Sequence, residues 1–358
     1  MNYKILLTPA EPYFFGNEKS FKYPGQETGG AYSNNYFIRG EDLPSQSAIL
    51  GVLRFLLLPN IKTDYSYSDK EKEENGKAVG KESFNIDSFD VQDFGVIKNI
   101  SPVFITDGAD TYIPVPLNDN SAVGKRIIGE ATEARKIKDY VPLSDFRIIS
   151  NTSDGKRLYT EEYDVKSGLS SGFLNLTDRC IYSDFIHSTI RVGINRHTEK
   201  NGFFKKEYKT LRKGCSFAVY AQIDKDVDDT PISVFMGQGK SPFSVRFIKA
   251  ENTLVRDVES VLSGAPDDYS LIYCLGNAVV NSNPCENTLF SAYRSSDYRS
   301  FMTNFNQSVK KGTLHRLIKA GSIFITDKPD EWMKDHSNKN AEKIGFNQFI
   351  ILTGGRKE

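Results

Sequence analysis

The sequence has few of the residues that build redox and metal sites. Its four cysteines are too far apart for a zinc knuckle or a redox pair, and its four histidines form no i, i+4 pair and no cluster with cysteine. We therefore expect no metal and no cofactor. We also expect reduced, buried thiols at Cys180, Cys215, Cys274 and Cys285.

Long apolar runs are also missing. No stretch approaches the roughly 20 residues of a membrane-spanning helix. The apolar run at residues 5–7 is too short for the core of a signal peptide. We therefore expect no membrane span and a cytoplasmic protein.

Catalytic motifs are absent or incomplete. The Gly237–Lys240 turn lacks the glycine spacing and the Lys-Ser/Thr ending of a P-loop. Asp224, Asp226 and Asp228 match the first ligand positions of an EF-hand, but Asp229 stands where that loop needs glycine. No Gly-X-Ser-X-Gly elbow is present. These absences favour a binding protein over an enzyme.

What the sequence does contain is a large and β-rich apolar fraction. Its 358 residues are 39% hydrophobic and 12% aromatic, enough for a sizeable core and two domains. Forty-six basic residues balance forty-six acidic ones. A neutral total excludes a bulk polycation but leaves room for a local basic patch.

Residues 36–59 predict a short extended piece, a turn and one core helix. Apolar residues recur there at helical spacing, Arg54 is the only charge among them, and Pro59 ends the run. Either Ser45 or Ser47 is suited to cap the helix. The free amides and the dipole at such a capped start suit a phosphate. The alternative is a core helix with an ordinary cap.

Elsewhere the pattern predicts mainly strands. We expect strands at 3–8, 96–105 with a proline break, 112–117, 234–243 with a Gly turn, 269–273, 321–325 and 345–352. We expect helices at 251–262 and near 298–309. Residues 60–93 include the charged run 70–77, which predicts a solvated, mobile insertion.

A basic hairpin is predicted over residues 185–223. Its strands would be 185–194 and 215–223, with a basic segment between them. Residues 189–214 carry eight Lys or Arg against two Glu, a net charge of +6, with Phe203, Phe204 and Tyr208 among them. Cations interleaved with aromatics are typical of single-stranded nucleic-acid binding. A plain solvated hairpin is the alternative.

Several motifs, taken in order, resemble the RAMP subunits of type III CRISPR effector complexes, and most of all the subunit-three family of the type III-B Cmr complex. The motifs run from end to end of the chain. They are Pro12-Tyr13-Phe14-Phe15 with Lys19 and Phe21, the Leu43–Arg54 segment, Ile113–Pro116, Arg191–Thr198, Met236–Lys240, Ala320–Phe324 and Gly345-Phe346-Asn347. Departures lie in the Gly-Gln-Gly-Lys turn near 237 and in the insertion.

The resemblance implies an α+β fold of two ferredoxin-like (RRM-like, RAMP) domains with long loops and insertions. We expect them at 1–255 and 256–358. It also implies a non-catalytic subunit at the 5′ tag of the crRNA, in an antiviral ribonucleoprotein. Its partners would be the crRNA, the large polymerase/cyclase-like subunit and the first backbone RAMP subunit.

Candidate RNA-binding residues follow from this resemblance and from the chemistry of RNA binding, in which cations, helix N-termini and aromatic faces grip phosphates and splayed bases. Phe14 and Phe15 would stack on a base or be buried, and Arg54 would contact RNA or cap its own helix. The candidates are Phe14, Phe15, Lys19, Arg39, Ser45, Gln46, Ser47, Arg54, Arg191, Asn195, Arg196 and His197.

Two other functions remain open on the sequence alone. A crRNA-processing endoribonuclease on the same scaffold would need a general base such as His187 or His197 near a scissile phosphate. A protein-only scaffold subunit would carry the basic hairpin as a solvated surface.

Overall fold

The computed structural model of the protein describes residues 1–22, 36–62, 66–119, 125–126, 137–144, 146–152, 155–161, 171–195, 202–237, 240–262, 269–280, 282–303 and 309–353. Antiparallel strands dominate these residues, and helices are few. The α+β class predicted from the sequence is confirmed, whereas the division into two ferredoxin-like domains stays a prediction. No helix in the described ranges is long and apolar enough to cross a membrane.

The elements up to residue 262 comprise three helices and most of the strands described. The helices are α1 (Gln46–Leu57), α2 (Asp69–Val79) and α3 (Leu254–Glu259). The strands are β1 (Asn2–Pro9), β2 (Gly16–Lys22), β3 (Tyr36–Gly40), β4 (Ile97–Ile100), β5 (Phe104–Thr106), β6 (Thr111–Pro114), β7 (Lys125–Arg126), β8 (Ile137–Asp139), β9 (Arg147–Thr152), β10 (Gly155–Tyr159), β11 (Phe173–Asn175), β12 (Cys180–Tyr182), β13 (Ile186–Asn195), β14 (Gly202–Leu211), β15 (Ser216–Ile223), β16 (Ile232–Met236) and β17 (Ser241–Lys249).

The elements after residue 262 form a smaller group. The strands are β18 (Ser270–Cys274), β19 (Ala278–Val279), β20 (Phe290–Ala292), β21 (Ser295–Thr303), β22 (Val309–Ile318), β23 (Ile323–Thr326) and β24 (Phe349–Thr353). The helices are α4 (Pro329–His336) and α5 (Lys339–Lys343).

The largest sheet is built around β1. It has eleven strands in the order β16-β17-β1-β15-β5-β6-β11-β12-β8-β7, with β4 also paired to β15. Tyr3, Ile5 and Leu7 alternate along β1 and are fully buried, as expected of a strand with one face on a core. Helix α1 supplies Ile49 and Leu53 to the same hydrophobic cluster.

Helix α1 confirms the prediction for residues 36–59. Ser45 is the N-cap, because its Oγ accepts a hydrogen bond from the amide of Ala48 at 3.3 Å. Its apolar stripe is buried against the sheet, and the helix ends before Pro59.

The chain after 262 is packed into the chain before it. One hydrophobic cluster joins Phe104 and Ile113 to Leu271 and Ile325. The Tyr273 hydroxyl donates to the carbonyl of Pro114 at 2.7 Å. In the C-terminal part β18 lies between β23 and β24, and Trp332 of α4 is buried against Phe324 at a centroid distance of 4.9 Å.

Two local predictions are wrong, and a third is confirmed with shorter bounds. Residues 298–309 lie not in a helix but in the β21–β22 hairpin, apart from 304–308, which lie outside the described residues. The predicted helix at 251–262 is shorter, Leu254–Glu259. The partner of β13 is β14, formed by the basic segment itself, whereas β15 pairs with β1. Whether a segment forms a strand, and with which neighbour it pairs, depends on packing against the rest of the protein as well as on the local pattern.

The insertion at 60–93 is folded over its described length, whereas the sequence predicted a solvated, mobile segment. Helix α2 begins with a reciprocal capping box, in which Ser68 accepts from the amide of Glu71 and Glu71 accepts from the amide of Ser68. Phe84 and Ile86 then enter the main core cluster. The Ser-X-X-Glu spacing of this box is visible in the sequence and predicts a helix start. The run of charged residues, taken alone, predicts a solvated segment instead.

The predictions for four strands are confirmed, as is burial of three of the four cysteines. The strands predicted at 3–8, 96–105, 269–273 and 345–352 are present as β1, β4 with β5, β18 and β24. All four cysteines are free, and all but the partly exposed Cys285 are buried.

Candidate nucleic-acid interface

Strands β13 and β14 form an antiparallel ribbon at one edge of a four-stranded sheet ordered β13-β14-β3-β2. Residues directly opposite one another in such a pair lie on the same face. One face therefore carries Thr189 with Tyr208, Arg191 with Lys206, and Gly193 with Phe204. We call these six residues the stacked face.

Cations lie over aromatic rings on the stacked face. The guanidinium carbon of Arg191 is 4.5 Å from the centroid of Tyr208. The ammonium of Lys206 is 5.2 Å from the centroid of Phe204 and 5.3 Å from that of Phe14. Arg191 itself is exposed, and the two rings of β14 are half-buried. The face thus offers positive charge and aromatic surface side by side.

Gly193 makes room for this arrangement. A Cβ at that position would lie 2.2 Å from the ring of Phe204. The absence of a side chain lets the ring of Phe204 lie across β13.

The opposite face of the ribbon holds a network that neutralises charge. The ammonium of Lys209 lies 3.0 Å from Asp42, 3.2 Å from Glu207 and 3.0 Å from the hydroxyl of Ser188. Burial lowers the pKa of Lys209, but the carboxylates of Asp42 and Glu207 raise it by more, so the net shift is upward. Lys209 therefore stays charged and is engaged within the protein.

Arg39 lies near this network. It is exposed on β3. Burial raises the pKa of Glu207, but hydrogen bonds from Ser188 and Lys209 lower it by more. The charge of Arg39 adds a smaller downward effect, so the net pKa of Glu207 lies below its usual value. Part of the positive charge of Arg39 is thus offset by Glu207.

The segment at 13–15 is attached directly to the ribbon. Tyr13 exchanges both backbone hydrogen bonds with Lys209, at 2.8 and 2.9 Å. The Tyr13 hydroxyl donates to the carbonyl of Asp42, in the turn that leads to α1. Three of the predicted regions, namely residues 13–15, the turn before α1 and the basic hairpin, are therefore in contact.

Phe14 and Phe15 are buried, which is the alternative to base stacking that the sequence left open. Phe14 is fully buried, 5.6 Å from Tyr208 between ring centroids, and Phe15 packs on Phe243 at 6.0 Å. Phe14 lies beneath Tyr208 and Lys206 of the stacked face, whereas Phe15 packs in the core.

At the start of α1 the candidate residues separate into two groups. Ser45 caps the helix, and its hydroxyl is 3.2 Å from that of Ser47. Gln46 is buried, and its Nε2 donates to the carbonyl of Ser101 at 2.8 Å and to that of Ile344 at 2.6 Å. The side chain of Gln46 is thus used to join the two parts of the chain.

Arg54 is also engaged inside the protein. Its guanidinium donates to the carbonyl of Glu82 at 2.7 Å and to that of Gly80 at 2.5 Å. Burial lowers its pKa from the usual value. Arg54 therefore bonds to the loop after α2. The two alternatives from the sequence were an RNA contact and a cap on its own helix, and this contact is neither of them.

Four candidates fall partly or wholly outside the described structure. Arg196 and His197 lie outside the described residues. Lys19 and Asn195 belong to strands β2 and β13, but their side chains are outside the description. Their assignment to RNA binding stays a prediction.

No group of three or more His, Cys, Asp or Glu residues in the described ranges is arranged to hold a metal ion. His187, named above as a candidate base, is exposed on β13 opposite Thr210.

Motifs far apart in the sequence meet in the structure. A Cβ at Gly237 would lie 2.5 Å from the carbonyl oxygen of Phe14, and one at Gly345 would lie 1.7 Å from Nε2 of Gln46. A Cβ at Gly321 would lie 2.6 Å from the carbonyl oxygen of Val115. Each glycine therefore allows a close approach between two of the segments that resemble RAMP subunits.

No protein-family model and no curated protein matches the sequence. Solved structures of type III CRISPR complexes are similar to it. A chain of the type III-B Cmr-beta complex bound to cognate target RNA aligns over 97% of this chain and 96% of its own length, at 12% identity and a TM-score of 0.49.

Two further structures belong to Csm complexes. A chain of the Csm3-Csm4 subcomplex of the type III-A interference complex aligns over 99% of this chain and 100% of its own, at 10% identity and a TM-score of 0.42. A chain of the Csm1-Csm4 cassette in complex with cA4 aligns over 90% and 86%, at 12% identity and a TM-score of 0.34. The structural neighbours are chains of the class of complex that the sequence motifs resemble. Each of these three TM-scores is below 0.5.

Proposed function

We propose that this chain is a non-catalytic RNA-binding subunit of a type III-B CRISPR effector complex and that it holds the 5′ tag of the crRNA. The observation that carries the proposal is the stacked face, where Arg191 and Lys206 lie over aromatic rings at the edge of a sheet. Bases of single-stranded RNA stack on aromatic rings, and Lys or Arg beside them contact the phosphates.

The convergence of motifs supports the family. Gly237, Gly321 and Gly345 each lie close to a second motif of the resemblance. Motifs that share the sequence order of the family therefore also lie together in the structure. We therefore extend to this chain the architecture that the resemblance implies, two ferredoxin-like units bridging the large polymerase/cyclase-like subunit to a backbone RAMP subunit in a cytoplasmic antiviral ribonucleoprotein.

The site residues of this proposal differ from the initial set. The stacked face and Arg39 would contact RNA, with the Ser45–Ser47 turn as a phosphate site at the start of α1. We assign Gln46, Arg54, Phe14 and Phe15 to the fold. Gln46 and the two rings are buried, and the half-buried Arg54 donates to backbone carbonyls.

The experiment is binding of the purified chain, with and without its large-subunit partner, to crRNA with and without the 5′ tag. We expect the tag to raise the affinity at least tenfold, about 1.4 kcal/mol. We also expect the affinity to fall with salt, by a slope of about 0.7 per phosphate contacted. The RNA should remain intact.

Other outcomes would contradict the proposed role or favour one of the two other functions. Equal affinity for the two RNAs would contradict the tag role. No binding even with the partner would favour the protein-only scaffold. Cleavage of cognate repeat RNA, lost on His187→Ala, would favour the endoribonuclease.

A further inference from the structure

The loop at residues 82–93, which we call the acidic loop, exposes an aromatic side chain completely. Phe89 has 106% of its reference accessibility, more than any other large apolar side chain in the described residues. Val91, two residues on, is 58% exposed. An isolated exposed apolar residue is ordinary, so the meaning of Phe89 depends on how the loop is held.

A side chain from the other end of the sequence holds the loop on both sides of Phe89. Asn340 is buried, and its Nδ2 donates to the carbonyls of Ser88 at 3.2 Å and Asp90 at 2.8 Å. Its Oδ1 accepts from the amide of Gln92 at 2.7 Å. One asparagine therefore fixes the backbone immediately before and after the exposed ring.

Further contacts fix the base of the acidic loop. Gln92 is buried. Its Nε2 donates to the carbonyl of Ser83 at 2.9 Å, and its Oε1 accepts from the amide of Asn85 at 2.8 Å. The Phe84 ring stacks on Phe346 at 6.1 Å. Because the backbone is already ordered, a partner that covers Phe89 loses little conformational entropy on binding, which favours affinity.

The charge of the loop identifies the kind of partner. Residues 82–93 contain no Lys or Arg, and their four acidic residues are all exposed: Glu82, Asp87, Asp90 and Asp93. The ammonium of Lys343 donates to the carbonyl of Gln92, and the guanidinium of Arg54 donates to that of Glu82. The imidazole of His315 lies 3.1 Å from Asp87. The four exposed carboxylates outnumber these groups and favour a basic partner. A protein surface with an apolar pocket surrounded by Lys and Arg would match both the ring and the charges.

We propose that the acidic loop is a protein-docking site, with Phe89 as its anchor, for another protein subunit of the effector complex that presents an apolar pocket with a basic rim. This inference rests on the proposed function, since it takes its partner from the complex. It adds an interface that lies in the insertion and is separate from the RNA-binding ribbon.

The test compares Phe89→Ser with Phe235→Ser in the assembled complex. Phe235 is a matched control, because it is 72% exposed on β16, at the edge of the eleven-stranded sheet. We expect Phe89→Ser to weaken binding to the contacted subunit about 30-fold, the effect of losing an interface hot spot. Phe235→Ser should have no effect, and both variants should bind crRNA as the wild-type chain does.

A second readout is hydroxyl-radical footprinting of the wild-type protein. The Phe89 ring should be oxidised in the free chain and protected in the complex. Unchanged assembly of Phe89→Ser together with an unprotected ring would overturn the docking site. So would a loss of crRNA affinity in place of subunit affinity, which would make the loop an RNA contact. If the wild-type chain joins no complex, the proposed function fails and this inference fails with it.

Discussion

Reversing the charges of Arg191 and Lys206 together is expected to weaken crRNA binding about 100-fold. Each residue supplies a cation beside an aromatic ring on the stacked face. A lost phosphate contact and a new repulsion cost about 1.4 kcal/mol per position, or tenfold each. The salt dependence should become shallower by about 1.4 in slope, from two lost contacts at about 0.7 each. Filter binding across a salt series measures both quantities.

The control is the same double change of charge elsewhere. Lys70 is 87% exposed on α2 and Lys334 is exposed on α4. Lys70→Glu/Lys334→Glu alters the net charge equally and should leave crRNA affinity within about twofold, because only local charge steers and holds the RNA. Equal losses in the two double variants would show that the stacked face is not the binding surface.

Substituting Gly345 by alanine is expected to destabilise the fold by about 3 kcal/mol or more. Gly345 has a φ of +93°, and a Cβ there would lie 1.7 Å from Nε2 of Gln46 and 2.6 Å from the carbonyl oxygen of Ser101. Gln46 cannot simply move aside, because it donates to both Ser101 and Ile344. The substitution therefore opens the junction between the two parts of the chain.

Gly108→Ala separates this clash from backbone strain. Gly108 has a φ of +97° and nothing within 4 Å of its Cβ position. Its substitution should cost only the left-handed conformation, about 1–2 kcal/mol. Urea unfolding of the two variants and the wild-type chain measures the difference, and equal losses would mean that Gln46 and Ser101 accommodate the added methyl group without a clash.

The parts of the fold that were predictable have local causes. The apolar spacing of α1 and the serine at its start depend on neighbouring residues alone, and both are confirmed. Strand β1 is predictable for the same reason, since Tyr3, Ile5 and Leu7 alternate.

The parts that were missed depend on packing that the local sequence pattern does not contain. No local pattern shows that β14 pairs with both β13 and β3, or that 298–303 forms a hairpin with β22. The insertion was predicted as solvated from its charges, although Phe84 and Ile86 within it reach the core through contacts with the C-terminal part.

The candidate site shows the same division. Arg191 and the aromatics of the basic segment were identified from composition, because cations among aromatic residues are visible in sequence. The burial of Gln46 against Ile344 was not visible, since its partner is 298 residues away. Lys209 counted as part of the basic patch, yet Asp42 and Glu207 engage it inside the protein.

The most direct measurement is ultraviolet cross-linking of the chain to crRNA that carries 4-thiouridine in its 5′ tag, followed by mapping of the linked peptides. We expect cross-links to the β14 peptide, residues 202–211, at Phe204 or Tyr208, and their loss in the Arg191→Glu/Lys206→Glu variant. Cross-links that map only to peptides outside the β13–β14 ribbon, or that form equally with a thiouridine placed far from the tag, would contradict the proposed function.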